Sequence, residues 1–246
     1  MRHDLIRAAG AGTTPAPVDL KEQTVLDHLR RAILADYPGR IALVSSFGAD
    51  SVVLLHLVAR IAPATPVLFN QTGMHFAETL AYQRELADDL GLANVRIVRP
   101  TSWDLSADSN ADLHKTDPDA CCHSRKVNPL QRALTPFRAW ISGQKRHQSA
   151  MRSAIAHQEL DATGRVKLNP LADWSARDLL RYRQANDLRP HPLVRQGYPS
   201  IGCAPCTTRV AVGEDPRAGR WRGRDKTECG IHFINGRAVR GGEKEA

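Results

Sequence analysis

The chain has 246 residues, 42% of them hydrophobic and 24% charged, values that exclude a disordered, collagenous or fibrous protein and leave room for one principal domain with an appendage. Its longest apolar stretch, residues 52–61, is interrupted by His56 and Arg60 and is far shorter than the ~20 residues of a membrane helix, so no span is expected. Thirty-four Lys and Arg against 26 Asp and Glu give a net charge of +8, which favours an anionic partner.

The first twenty residues hold charge and proline but no continuous apolar core of a secretory signal, which predicts a cytoplasmic setting. Residues 5–36 read as a helical layer, with 13–17 as its lead-in. Beyond them apolar strands alternate with amphipathic segments. Strands are predicted at 41–46, 66–69, 95–98 and 138–142, with helices at 51–61 and 76–90. Alternation of this kind predicts an α/β fold with a mainly parallel sheet, helices on both faces, and a ligand crevice at the carboxyl ends of the strands.

Three loops fall at those ends. The first strand runs through Ser45, Ser46, Phe47 and Gly48 into Asp50-Ser51 and a helix, a turn that can offer backbone N–H groups to an anion. It lacks the spacing and the lysine of a Walker loop. Asn70-Gln71-Thr72-Gly73 follows the second strand, and Ser142-Gly143-Gln144-Lys145-Arg146 follows the candidate strand at 138–142. Together they predict an adenine-nucleotide pocket.

Charge changes sign abruptly along the middle of the chain. Residues 101–120 carry five Asp and one Lys, whereas 121–152 carry seven Lys or Arg and no acid. Residues 216–246 hold eight Lys or Arg against four acids, half of the net charge. A nucleic-acid binder would more often show a sustained basic face with interleaved aromatics, and aromatics here are only 5%.

Five cysteines without a signal point to metal or redox chemistry rather than a disulfide framework. Cys121-Cys122 and Cys203-Ala204-Pro205-Cys206 form two pairs. Four thiolates suit a structural zinc or an iron-sulfur cluster, and the adjacent pair favours the bulkier cluster. Read as a dithiol, the second pair lacks a preceding parallel strand. Arg125 and Lys126 beside the first pair would offset its negative charge. Cys229 stands apart in a basic, glycine-bearing segment, where neighbouring cations favour the thiolate and make it a candidate nucleophile. A chain boundary at 215 is predicted, with residues 1–215 forming the nucleotide- and cluster-binding domain and residues 216–246 a mobile tail carrying Cys229.

The SSFGADS turn, the CC pair followed by RK, GQKRHQS, GCAPCT, RAGRW and KTECGIH together resemble the assimilatory sulfonucleotide reductases, most closely the adenylyl-sulfate (APS) reductase branch, from Ser45 to His232. The resemblance implies an adenine-nucleotide alpha-hydrolase-like, PP-loop-related fold and a [4Fe-4S] cluster on Cys121, Cys122, Cys203 and Cys206. It implies Cys229 as nucleophile, with Lys126 and His232 as catalytic partners. Substrate contacts are implied for Ser45, Ser46, Phe47 and Gly48, for Thr72 and Gly73, for Gly143, Arg146 and Arg152, and for Arg217 and Arg220. The implied reaction reduces APS to sulfite and AMP through an S-sulfocysteine, with reduced thioredoxin or a glutaredoxin-like thiol as donor and a homo-oligomer as the assembly. Neither a membrane nor a nucleic acid is expected as partner.

One departure stands out: Asn70-Gln71 replaces the first two residues of the family's LDTG turn, which bears on nucleotide recognition and on tolerance for a 3′-phosphate. The branch reducing 3′-phosphoadenylyl sulfate (PAPS) typically lacks the four cysteines, so APS is the expected substrate, with PAPS or dual specificity as the alternative. Two further alternatives are a PP-loop ATP pyrophosphatase of the tRNA-thiolating kind, against which Phe47 replaces the first glycine of SGGxDS, and a four-cysteine zinc module binding nucleic acid.

Overall fold

A computed structural model describes residues 20–230 and the backbone of the strand pair β7 (Phe233–Ile234) and β8 (Arg237–Ala238). In chain order the body comprises α1 (Leu20–Arg31), extended by a wide turn at Ala32–Asp36, then β1 (Ile41–Ser45), α2 (Ser51–Ala59), β2 (Val67–Asn70), α3 (Ala77–Asp89) and β3 (Val95–Val98). Three short helices follow, α4 (Leu113–Thr116), α5 (Pro118–Cys122) and α6 (Asn128–Leu134), then β4 (Ala139–Ile141), β5 (Gln158–Leu160), β6 (Val166–Leu168) and α7 (Ala176–Ala185).

One six-stranded sheet, ordered β3-β2-β1-β4-β6-β5, organises the molecule. Every pairing is parallel except the β5–β6 edge hairpin. β1 and β2 are apolar because helices cover both faces, so no side can carry polar residues. The larger core cluster joins α1, α2 and α7 to one face, and the smaller sets Leu130, Leu134 and Phe137 against Ala42, Leu68 and Trp140 on the other. Val52, Val53, Leu54, Leu55, Leu57 and Val58 of α2 are all buried, which makes this helix a core element rather than an amphipathic one.

The four predicted strands and two helices stand within two residues of their expected bounds. Of the predicted N-terminal helical layer, residues 20–36 are helical and the rest lies outside the described residues. Among the described residues no helix is long and apolar enough to cross a membrane. Beyond the predicted boundary at 215, residues 216–230 contact the body of the sheet domain. Thr207 bridges Arg220, Thr208 N–H donates to the Gly219 carbonyl, and Trp221 is buried with its backbone N–H donating to the Cys206 carbonyl.

Candidate functional site

β1 and β4 are central neighbours, and their carboxyl ends open into a cavity of about 510 Å³. Ser45, Ser46, Gly48, Asp50 and Ser51 form its floor, Asn70 one flank, and Ser142 to Lys145 the other. Leu54, Leu55, Leu171 and Leu179 from α2 and its surroundings give part of the wall an apolar surface. Lys126, Arg152, Arg217, Arg220 and Cys229 line the polar remainder.

The floor turn is shaped by side-chain oxygens. Phe47 N–H donates to Ser45 Oγ at 3.1 Å and Gly48 N–H to Ser51 Oγ at 3.0 Å. Phe47 holds φ +48°, the left-handed region, and its ring is fully buried edge-on against Phe69 at 5.3 Å. Its side chain therefore anchors the turn from the core and does not line the cavity. The glycine that SGGxDS loops carry at this position suits the same backbone; here ring burial outweighs the cost of that conformation.

Asn70 is buried, its Nδ2 donating to the Lys126 carbonyl at 2.9 Å, which leaves Oδ1 as an unpartnered acceptor in the cavity lining. Gln71 Oε1 accepts from Gly73 N–H at 3.2 Å, so the amide replacing the acid still closes the turn. Thr72 and Gly73 belong to the thiol side rather than the cavity. Thr72 Oγ1 lies 3.3 Å from Cys203 Sγ, and the Thr72 carbonyl accepts from Arg125.

The loop after β4 also supplies Lys145, which is not among the implied substrate contacts. Lys145 is fully buried, donates to the Gly143 carbonyl at 3.0 Å and sits 3.4 Å from Asp50 Oδ2, spanning the two halves of the floor. Burial pushes its ammonium below the ordinary lysine value, against the opposing pull of Asp50. Arg146 turns the other way, to the Ile155 carbonyl and an ion pair with Asp173, and does not line the cavity. Lys145 is in extended backbone, where neighbouring side chains take opposite sides, so only one of the two cations can enter.

The thiols gather from two elements. Asp117 caps α5, its Oδ1 accepting from Asp119 and Ala120 N–H, and Pro118 fits the first turn, so Cys121 and Cys122 end this short helix. A wide turn at His123–Val127 carries Lys126 back toward them. Cys203 bridges His75, and Ala204 N–H donates to the Met74 carbonyl at 2.7 Å, which brings the second pair alongside. Cys121, Cys122 and Cys203 are buried and Cys206 partly so.

Burial pushes the Cys121 thiol up to about 12 and Cys122 up to about 11, the latter against the attraction of Lys126. For Cys203 burial acts upward too, but Lys126, the Thr72 hydroxyl and Arg220 outweigh it and bring it below the ordinary thiol value. Lys126 is the converse: burial disfavours its charge, yet Cys203, Cys122 and Cys229 hold it protonated, above the ordinary lysine value. His75 falls to about 4 through burial and then Lys126 and Arg220, so it is a neutral imidazole at the cavity edge.

Among the described residues no three His, Cys, Asp or Glu side chains already stand at metal-ligand separation, so a fit is judged on the donors themselves. Four neighbouring thiols, three of them buried, face a buried ammonium, and the nearby carboxylate of Asp108 is taken by Arg125 at 2.6 Å. That donor set suits a polyanionic thiolate-ligated group.

Of the other expected residues, Gly143 lines the cavity, whereas His232 lies outside the described residues. Arg220 stacks on Trp221 at 4.4 Å with its Nε unpartnered.

Architecture and site together define an adenine-nucleotide alpha-hydrolase-like protein with a thiol centre. The phosphoadenosine phosphosulfate reductase domain family matches residues 40–209. An adenosine 5′-phosphosulfate reductase of Chelativorans sp. is 55% identical over 197 residues, 79% of this chain and 80% of that protein. Another, of Mesorhizobium japonicum, is 46% identical over 232 residues, 94% and 89% of the two chains. In fold, the crystal structure of a phosphoadenylyl-sulfate reductase from Candida auris in its phosphate complex superposes with a TM-score of 0.62 at 20% identity, covering 81% of this chain and all of that one. The chain belongs to the phosphoadenosine phosphosulfate reductase family, oxidoreductases acting on sulfur.

Proposed function

We propose that the protein reduces APS to sulfite and AMP, with Cys229 as the group that accepts the sulfur. The observation that carries this reading is that Cys229 lines the same cavity as the 45–51 turn and Lys126. The apolar wall suits adenine, the floor turn and Lys145 suit the phosphate, and Lys126 with Arg220 faces the sulfate end.

In the first half-reaction the Cys229 thiolate attacks the sulfate sulfur. An S–S bond forms, the S–O bond to the phosphate breaks, and AMP leaves with the electron pair. Lys126 and Arg220 stabilise charge on the sulfonyl oxygens as this happens. In the second, one thiol of a reduced dithiol attacks Cys229 Sγ and sulfite leaves. The mixed disulfide is then resolved by the second thiol, which releases Cys229 and leaves the donor as a disulfide. Thioredoxin or a glutaredoxin-like protein supplies those two electrons, which suits a cytoplasmic enzyme.

Cys121, Cys122, Cys203 and Cys206 would hold the [4Fe-4S] group, whose negative charge, when bound, keeps Lys126 protonated at the cavity. APS rather than PAPS is the reading because the four cysteines accompany the APS branch in the resemblance.

The test is incubation of anaerobically purified protein with APS and no reductant, read by peptide mass spectrometry with iron and sulfide assays. Cys229 gains one SO3 group, and a dithiol then frees sulfite. A Cys229→Ser protein that forms sulfite at the wild-type rate overturns the reading, and kcat/KM on PAPS measured alongside settles the substrate.

A further inference from the structure

Glu228, the residue before Cys229, has a buried carboxylate, 9% exposed. Arg152 grips it with two bonds, Nε to Oε1 at 2.7 Å and Nη2 to Oε2 at 2.6 Å. Ser149 Oγ donates to Oε1 at 3.1 Å, Arg217 Nη2 lies 3.5 Å from the same oxygen, and that guanidinium also donates to the Thr227 carbonyl at 2.8 Å. The third nitrogen of Arg152 is on Gln148 Oε1. Every nitrogen of Arg152 is thus engaged within the protein, and Arg152 and Arg217, both expected as substrate contacts, are turned to the segment that carries Cys229.

We infer that Glu228 is a positioning residue: with Arg152, Arg217 and Ser149 it forms a latch that seats Cys229 at the cavity for sulfur transfer and lets it go afterwards. A two-bond arginine–carboxylate pair fixes direction as well as distance, and one this buried has few alternatives open to either partner. Release needs only that this pair part, which frees the segment so that the external thiol can reach Sγ of the S-sulfocysteine. Lys226, paired with Asp119 and placed over the Trp221 ring, is a second tether that limits how far the segment travels.

The inference rests on Cys229 as nucleophile, but its first readout needs no APS. The intact holoprotein, its Glu228→Gln, Glu228→Asp and Arg152→Gln variants and the Glu228→Gln/Arg152→Gln double variant are treated with a neutral maleimide, and modification of Cys229 is timed by peptide mass spectrometry. Thermal unfolding confirms that each is folded. The latch predicts about tenfold or faster labelling in Glu228→Gln and in Arg152→Gln, intermediate labelling in Glu228→Asp, and no further gain in the double variant, as for two partners of one pair. With APS, single-turnover S-sulfonation falls by a similar factor while AMP affinity holds within about twofold and reduction of the preformed adduct is not slowed. Unchanged labelling in both single variants overturns the latch. AMP affinity falling in step with S-sulfonation in Arg152→Gln overturns it too, by making Arg152 a nucleotide contact. If the wild type forms no adduct with APS, the proposed function fails while the labelling result stands by itself.

Discussion

The two sides of the cavity are built on different physical terms. On the sheet side, polar groups sit on turns whose positions are set by buried side chains: Phe47 on Phe69, Leu43 and Ile41 in the strand below, and α2 wholly in the core. On the thiol side the parts come from residues 72–75, 108–126, 203–207 and 217–229, and charge pairs hold them: Arg125 to Asp108, Arg152 to Glu228, Lys226 to Asp119. Apart from the Lys145–Asp50 pair, the first kind of wall rests on apolar packing and fails by cavity formation. The second responds to protonation and to the charge of what binds.

The largest effect is expected where an ion pair is most buried. Arg125→Ala leaves Asp108, which has no exposed side-chain surface, unpaired, and removes the donor to the Thr72 carbonyl next to Cys203. Denaturant titration is expected to show a loss of about 3–5 kcal/mol, with iron and sulfide content falling alongside. Leu43→Ala acts on the other wall. Leu43 is 1% exposed in the central strand, and its truncation costs about 2–5 kcal/mol by the same titration. Below the unfolding transition the rate of Cys229 labelling is expected to match wild type. A core variant that exposed Cys229 would erase the distinction between the walls.

Gly202→Ala separates them at lower cost. A Cβ there would meet the Arg220 guanidinium inside van der Waals contact, and the far end of a flexible side chain can move where backbone cannot. Stability should change by less than about 1 kcal/mol, the usual range of a substitution to which only a flexible side-chain end must yield. Sulfite formation should fall as Arg220 leaves the cavity and its stack on Trp221. Normal activity with Arg220 displaced would remove it from the sulfate end.

Sheet architecture was far more legible than the thiol wall. Strands at 41–45 and 67–70 announce themselves as continuous apolar runs because both faces are covered. β5 and β6 escaped notice, since three-residue strands such as Gln-Glu-Leu at an edge carry no such run. The cysteines and Lys126 were legible as residue types in pairs. Which of the adjacent cations Lys145 and Arg146 lines the cavity is not legible from residue type, because the two differ only in the direction an extended residue sends its side chain. The Glu228–Arg152 pair has no local signal, because its two residues lie 76 apart in the chain.

The smallest effect concerns pH and acts on the latch alone. Burial would raise the Glu228 carboxyl, but the hydrogen bonds and charge of Arg152, then Arg217 and Ser149, more than reverse this and hold it below the ordinary glutamate value. A carboxyl depressed in the docked state contributes docking free energy fully above its undocked value, about 4.3, and loses it as pH falls through the docked value. Since maleimide labelling itself depends on thiol ionisation, the informative quantity is the ratio of Cys229 labelling in Glu228→Gln to that in wild type at each pH. That ratio is expected to stay high and flat from neutrality down to about pH 5, then fall toward one as wild type protonates Glu228 and comes to resemble the variant. A fall centred near neutrality would instead point to a group of histidine-like pKa as the holder of the tail. A flat ratio of one throughout would mean that the carboxylate, though buried against Arg152, does not hold Cys229 in place.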